Sequence, residues 1–163
     1  MADIPVYAND DSNLAESGKV FLTNFQIDTV ETTEIPIILF RNPSGSGKVM
    51  RLIRFTFSNV HTSDSYIRIR AYVAPTVTSD GTTVSAGCSR IGGASGSAEV
   101  FSTPTVSANG VRIGQWLAPA FQPPTQIALD YLIILDPNTT ILLTAQADGN
   151  NRSFAGSFIW AEV

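Results

Sequence analysis

Glu34-Ile35-Pro36-Ile37-Ile38-Leu39-Phe40 is an apolar, β-rich run, and Val49 to Asn59 is a second one. Between them lies Asn42-Pro43-Ser44-Gly45-Ser46-Gly47-Lys48, a run of turn formers. Pro presets φ, Gly permits φ > 0, and Asn and Ser bond their own backbone. Two β-rich runs joined this way read as a hairpin with a longer loop. The second run changes phase partway. Met50 and Leu52 share one face with Arg51 opposite; then Ile53, Phe55 and Phe57 take the apolar side and Arg54, Thr56 and Ser58 the polar side. Side chains alternate across a strand, so Leu52 and Ile53 cannot both face inward unless a residue is added to the ladder. The phase change therefore predicts a β-bulge. The alternative is a strand buried on both faces, with Leu52 covered by a neighbouring subunit.

Gly45-Ser46-Gly47-Lys48 also imitates the end of a phosphate-binding P-loop. That motif needs Gly where Asn42 stands and Ser or Thr where Val49 stands. It must also open a helix whose amides hold phosphate. Here it opens a strand, which argues against a nucleotide site.

The 163 residues suit one domain with a core of its own. Charged residues make up only 15%, against a usual quarter, and Ser, Thr, Asn and Gly take their place. That profile fits a turn-rich β-protein or a surface partly covered by other subunits. A net charge of −4, with Lys19 and Lys48 the only lysines among ten basic residues, gives no clustered cation for nucleic acid. The single Cys88 forms neither an intrachain disulfide nor a Cys-based metal site. The opening Met1-Ala2-Asp3-Ile4-Pro5 lacks a basic and an apolar signal region, so no secretory signal is expected. No apolar run approaches the ~20 residues that cross a bilayer. No cofactor, nucleic-acid or membrane partner is expected.

Along the chain, residues 1–19 are polar and predict an arm without order of its own. Asp10 and Asp11 there read as a solvated acidic patch rather than metal ligands. Residues 20–163 form the single folded domain. Val20 to Ile27 is the first strand. Tyr66, Arg68, Arg70 and Tyr72 alternate with Ile67, Ile69, Ala71 and Val73, a half-buried strand. Pairing of this strand with 49–59 would join Arg51 and Arg54 to Arg68 and Arg70 in one basic strip flanked by Tyr66 and Tyr72. Such a strip is either a docking surface for an acidic partner or a solvated face with Arg stems over tyrosine rings. Residues 75–110 are Ser, Thr, Gly, Ala and Val, with short strands expected at 82–84 and 98–101 and a Gly-rich loop at 92–97. Val111 to Leu117 is a strand. Three prolines in 118–124 mark an extended crossing segment. Strands follow at 126–135, 141–147 and 153–163, separated by Asp136-Pro137-Asn138-Thr139 and Asp148-Gly149-Asn150-Asn151. No stretch has a helical apolar period, including Leu14-Ala15-Glu16. Seven to nine short strands with turns between them predict an all-β sandwich or barrel.

Catalytic chemistry finds no purchase. The single His61 sits in a polar turn, and no nucleophile elbow is present. Glu31 and Glu34 precede a strand, and Asp130, between Leu129 and Tyr131, is the most unusual acid. The sequons at Asn138 and Asn151 carry little weight without a secretion signal.

The order of features resembles small jelly-roll structural proteins of tailed bacteriophages, of the capsid decoration or cement type. The features are a polar arm, the apolar strand into Asn42–Lys48, the Arg- and Phe-rich strand, and the Ser/Thr/Gly-rich middle. Leu135-Asp136-Pro137-Asn138-Thr139 and the terminal Phe158-Ile159-Trp160-Ala161-Glu162 complete the order. The resemblance covers residues 34–163. It implies a jelly-roll β-sandwich with no catalytic residues, assembled as a homotrimer on the virion surface against the major capsid protein or another virion protein. Asn138 stands where such proteins often have Gly, and Asn tolerates the left-handed region nearly as well. The strands apolar on both faces, 49–57 and 153–163, are the candidate trimer seam, with Phe158 and Trp160 in the second. A receptor- or carbohydrate-binding module is the alternative, resting on Trp116, because Trp160 reads as buried. A β-sandwich hydrolase is a further rival and would need two converging carboxylates.

Overall fold

The computed structural model describes residues 10–61, 64–120 and 122–163, with side chains from residue 13 onward except those of 128–131. The expectations for Asp10, Asp11 and Asp130 as side chains fall outside the described residues. Among the described residues, thirteen strands follow one short helix, α1 (Asp10–Glu16). They are β1 (Val20–Val30), β2 (Ile35–Asn42), β3 (Met50–Asn59), β4 (Tyr66–Val73), β5 (Thr76–Ser79), β6 (Thr82–Thr83), β7 (Ala86–Cys88), β8 (Glu99–Ser102), β9 (Thr105–Ala108), β10 (Val111–Pro119), β11 (Thr125–Leu135), β12 (Thr139–Ala147) and β13 (Arg152–Glu162).

The front sheet runs β11-β3-β13-β1-β7 and the rear sheet β10-β4-β12-β2-β8-β6, with β5 and β9 paired separately. Every strand pairing among the described residues is antiparallel. With β5 to β9 set aside, eight long strands remain, four per sheet. Each step from one to the next crosses between the sheets except β4 to β10. This is the jelly roll, a sandwich of two Greek keys.

That topology corrects the expected hairpin. β2 pairs with β12 and β8 in the rear sheet, while β3 pairs with β11 and β13 in the front one. Asn42–Lys48 therefore carries the chain across the sandwich. A turn-rich loop reports that the chain reverses, not which sheet it returns to. Asn42 anchors the crossing: its amide donates to the carbonyls of Lys48 and Leu135, both at 2.9 Å. Asp136–Thr139 and Asp148–Asn151 cross in the same way. Asn138 has φ 66°, the left-handed turn expected of it.

The bulge is present. Arg54 pairs with Ile159 and Leu52 with Trp160, so Ile53 is the extra residue. Leu52 and Phe55 are both buried and Ile53 is half-buried, so Leu52 needs no second subunit to cover it. The core between the sheets is aromatic. Phe158 stacks on Phe55 at 4.8 Å, and Trp160 meets Phe40 edge-on at 5.1 Å. Each such pair adds about 0.5–1.5 kcal/mol beyond area burial.

The helix is a second correction. Residues 10–16 are helical, and the chain leaves them through a Schellman cap. The Lys19 N–H donates to the Leu14 carbonyl at 2.9 Å and the Gly18 N–H to the Ala15 carbonyl at 3.0 Å, with Gly18 at φ 72°. Only Gly takes that conformation without steric cost. The helix offers no apolar period because it is two turns long.

Residues 74–110 form a strap. The β4–β10 pair continues as β5–β9 and then as β6–β8, one long ribbon with two kinks. At the first, Ala74 (φ 53°) faces Gly110 (φ 89°); at the second, Thr103 (φ 51°) faces Gly81 (φ 88°). A Cβ on Gly110 would lie 2.2 Å from the Val73 carbonyl oxygen, and one on Gly81 would lie 2.2 Å from that of Ser102. The ribbon leaves the rear sheet at β4 and rejoins it beyond β2. Asn109 lies beside Tyr72 at its root, and Asp80 at its far end takes a bidentate ion pair from Arg41 of β2. Leu142 and Leu39 sit between, cross-strand neighbours of Tyr72 on the outer face, and both are fully buried. Side chains on an outer face are buried only under a cover, and the ribbon, anchored on either side of them, is the element placed to supply it. Its tip then places β7 beside β1 in the front sheet.

Candidate assembly surface

The strap closes one side of the sandwich. Its tip is fastened by Glu162, whose side chain is wholly buried. Glu162 accepts from Lys48 Nζ at 2.9 Å, from the Ser97 N–H at 2.7 Å, from the Ala98 N–H at 3.0 Å and from Trp160 Nε1 at 3.3 Å. Burial pushes its carboxyl up, but these four donors outweigh that and hold it below the usual range. Lys48, the lysine of the P-loop imitation, is thus committed to a structural ion pair.

The other side of the sandwich is bounded by β10 and β11, which have no outer strand neighbour among the described residues. Here large apolar side chains meet water. Leu132 is 84% exposed and Val111 66%, and Ile113, Leu117 and Ile134 are also exposed. Tyr66, on the strand next to β10, is exposed as well. At one end an apolar cavity of about 360 Å³ is lined by Val73, Pro75, Ile133, Ile134 and Ile141, among others. At the other end a cleft of about 290 Å³ is lined by Asp64, Ser65, Tyr66, Leu117, Pro119 and Asp148. Opposite Ile53, the pairing of β11 with β3 skips from Ala128 to Ile133.

The residues singled out in the sequence do not form one site. Arg51 and Arg54 lie on the front sheet, Tyr66, Arg68, Arg70 and Tyr72 on the rear one. The expected basic strip is divided between opposite outer faces, because β4 pairs with β10 and β12 rather than with β3. The rear group forms a network around Glu34. That carboxylate accepts from Arg70 at 2.5 Å, from the Tyr72 hydroxyl at 2.8 Å and from Thr144 at 2.6 Å. Arg68 donates to Gln146 and lies 5.9 Å from the centroid of the Tyr66 ring. The Glu34 contacts push the Tyr72 hydroxyl up, after burial.

Trp116 faces inward, partly buried and 6.3 Å from Phe55. Phe158 and Trp160 are fully buried in the core. None of the three presents an aromatic surface to a partner, and β13 is a central strand rather than a seam. The residues that the sequence reading missed are Val111, Ile113, Leu117, Leu132 and Ile134. Part of their signal was present: in 126–135, Leu132 and Ile134 put large apolar residues on the face that Gln126 and Asp130 mark as the polar one. His61 bonds Arg152 in its turn. Among the described residues, no three His, Cys, Asp or Glu side chains converge as a metal site.

No protein-family model and no curated protein matches the chain. Among solved structures, the chain is similar to a subunit of Bacillus endospore appendages, described as disulfide-linked pili. The TM-score is 0.36 at 9% identity, over 88% of each chain. A subunit of the Kashmir bee virus virion gives a TM-score of 0.34 at 11% identity, over 100% of this chain and 84% of that one. A subunit of Desmodium yellow mottle tymovirus gives 0.27 at 11%, over 88% and 86%.

Proposed function

We propose that the chain is a non-enzymatic structural protein of a virion. In the finer form of this reading it is a capsid decoration (cement) protein of the tailed-phage kind. Three copies associate, sit on the outer capsid surface against the major capsid protein or another virion protein, and stabilise the shell. The observation that carries the reading is the asymmetry of the sandwich. One side is sealed by the strap, while the other leaves two edge strands and their apolar side chains in water. Exposed edges of that kind are templates for another chain, and contiguous apolar patches mark interaction sites. The arm of residues 1–19, ahead of the 20–163 domain, supplies a second contact.

The carbohydrate-binding alternative needs exposed aromatic platforms, and both tryptophans are turned inward. Light scattering on the purified full chain tests the reading. The expected mass is about three times 17.5 kDa, with co-sedimentation on capsids to follow. A chain that stays monomeric at every concentration and fails to sediment with capsids overturns it.

A further inference from the structure

Resting on the reading of the chain as a self-associating subunit, we infer that copies join head to tail along β10. The Arg112 end of one copy seats against the Asp64 end of the next.

The two ends of this edge are complementary in charge and alike in apolar character. At the first end Val111 and Ile113 are exposed beside the cavity of Val73, Pro75 and Ile134. Arg112 stands between them, exposed and without an ion-pair partner among the described residues. At the second end Leu117 and Tyr66 are exposed around the cleft that holds Asp64 and Asp148. Asp148 is already engaged by Arg152 at 3.5 Å and by the Tyr66 N–H at 3.2 Å. Asp64 is exposed and, like Arg112, unpaired among the described residues.

Arg112 and Pro119, which shares the cleft with Asp64, are separated by roughly 23 Å at the rise of a strand. The two charges are out of each other's reach within one copy and meet only between copies. Simple extension of the sheet is disfavoured. The ladder of β10 with β4 shifts register between Arg112 and Gly114, and Pro119 ends the strand. A bulge and a proline both blunt an edge against further backbone pairing. Contact therefore runs through side chains. Different patches meeting on two copies make a heterologous interface, which gives a ring when its rotation closes and a filament when it does not; a trimer is the closed case. The apolar side chains supply affinity, and the charge pair sets orientation.

Charge reversal on the full chain tests this. Arg112→Asp and Asp64→Arg each bring like charges together, so each is expected to weaken association at least tenfold by light scattering over a concentration series. The double variant Arg112→Asp/Asp64→Arg is expected to restore it. Both residues are exposed, so thermal melts of the three variants should match the original chain. As a measurement independent of folding, association of the unaltered chain should weaken at about 1 M salt, where the Debye length is about 3 Å. Single reversals that leave the assembly intact, or a double variant no better than the singles, overturn the head-to-tail contact while leaving the structural-protein reading in place. An unaltered chain that stays monomeric overturns the head-to-tail contact, and one that also fails to sediment with capsids overturns both.

Discussion

The two sides of this sandwich solve the same problem differently. Every open sheet has edges, and unpaired edges attract other chains. Beyond β1 and β2 the chain covers its own edges, spending residues 74–110 on a kinked ribbon that pairs with both sheets. Beyond β10 and β11 it leaves them bare and places Val111, Ile113, Leu117, Leu132 and Ile134 there in water. The closed side is built from Ser, Thr and Gly held by backbone pairing and one buried carboxylate; the open side is built from large aliphatic residues held by nothing. Changes on the closed side should therefore cost stability and leave association alone. Changes on the open side should do the reverse.

The largest effect belongs to Glu162. Glu162→Ala strips four donors of their acceptor and leaves Lys48 beside a cavity, at a cost of about 2–4 kcal/mol. Urea unfolding measures it; a loss under about 1 kcal/mol would mean the strap is held elsewhere. The same residue sets an acid limit. Its carboxyl is held below the ordinary value in the folded protein, so the unfolded chain binds the proton more readily. Its contribution is complete above the unfolded value, near 4.5, and falls away as pH drops through the lower folded value. The acid unfolding curve of Glu162→Gln should be flatter in that range than that of the original chain.

Gly81→Ala comes next. A Cβ there meets the Ser102 carbonyl oxygen at 2.2 Å, at a φ that disfavours any side chain, so the kink must shift. The expected cost is about 1–3 kcal/mol, read as a lower midpoint in urea. Hydrogen exchange at 80–104 should rise more than in β3 or β13. Uniform loss of protection would show that the ribbon and the sandwich unfold as one unit.

How much of this asymmetry the sequence discloses depends on whether the signal is local. The phase slip at Leu52–Ile53 is local, and the bulge lies there. The tolerance of Asn138 for a positive φ is local, and the residue is at 66°. Which sheet a strand joins is decided by partners a hundred residues away, as with β1 and β13, so the loop at 42–48 looked like a hairpin while carrying the chain across the sandwich. The split of Arg51 and Arg54 from Arg68 and Arg70 has the same cause one loop later: β4 pairs with β10 and β12, not with β3. The strap was legible only in part. Short strands were expected at 82–84 and 98–101, and β6 and β8 lie there; β5, β7 and β9 went unread because strands of four residues or fewer have hardly an alternation to read. Helix α1 was obscured by its polar residues, although the glycine that caps it, Gly18, was in plain view.

A smaller effect is expected at Asn138. Asn138→Ala places a residue less tolerant of the left-handed region at φ 66° and should cost about 1 kcal/mol, while Asn138→Gly should be neutral or slightly stabilising. Both are read from thermal midpoints. Equal losses from the two would assign the role to the Asn side chain instead.

The smallest effect on stability is expected on the open side, and it separates the two sides most sharply. Val111→Ser, Ile113→Ser and Leu132→Ser remove apolar surface that is already in water. Each should change unfolding free energy by no more than about 0.5 kcal/mol, the usual range for surface sites. The transfer of apolar area from water that drives association is lost with them, so the triple variant should be a stable monomer at concentrations where the original chain assembles. A triple variant that unfolds early would show that these side chains are part of the fold. One that still assembles would move the contact to the outer faces of the sheets, where Arg51 and Arg54 stand exposed on the front and the Glu34 network covers the rear.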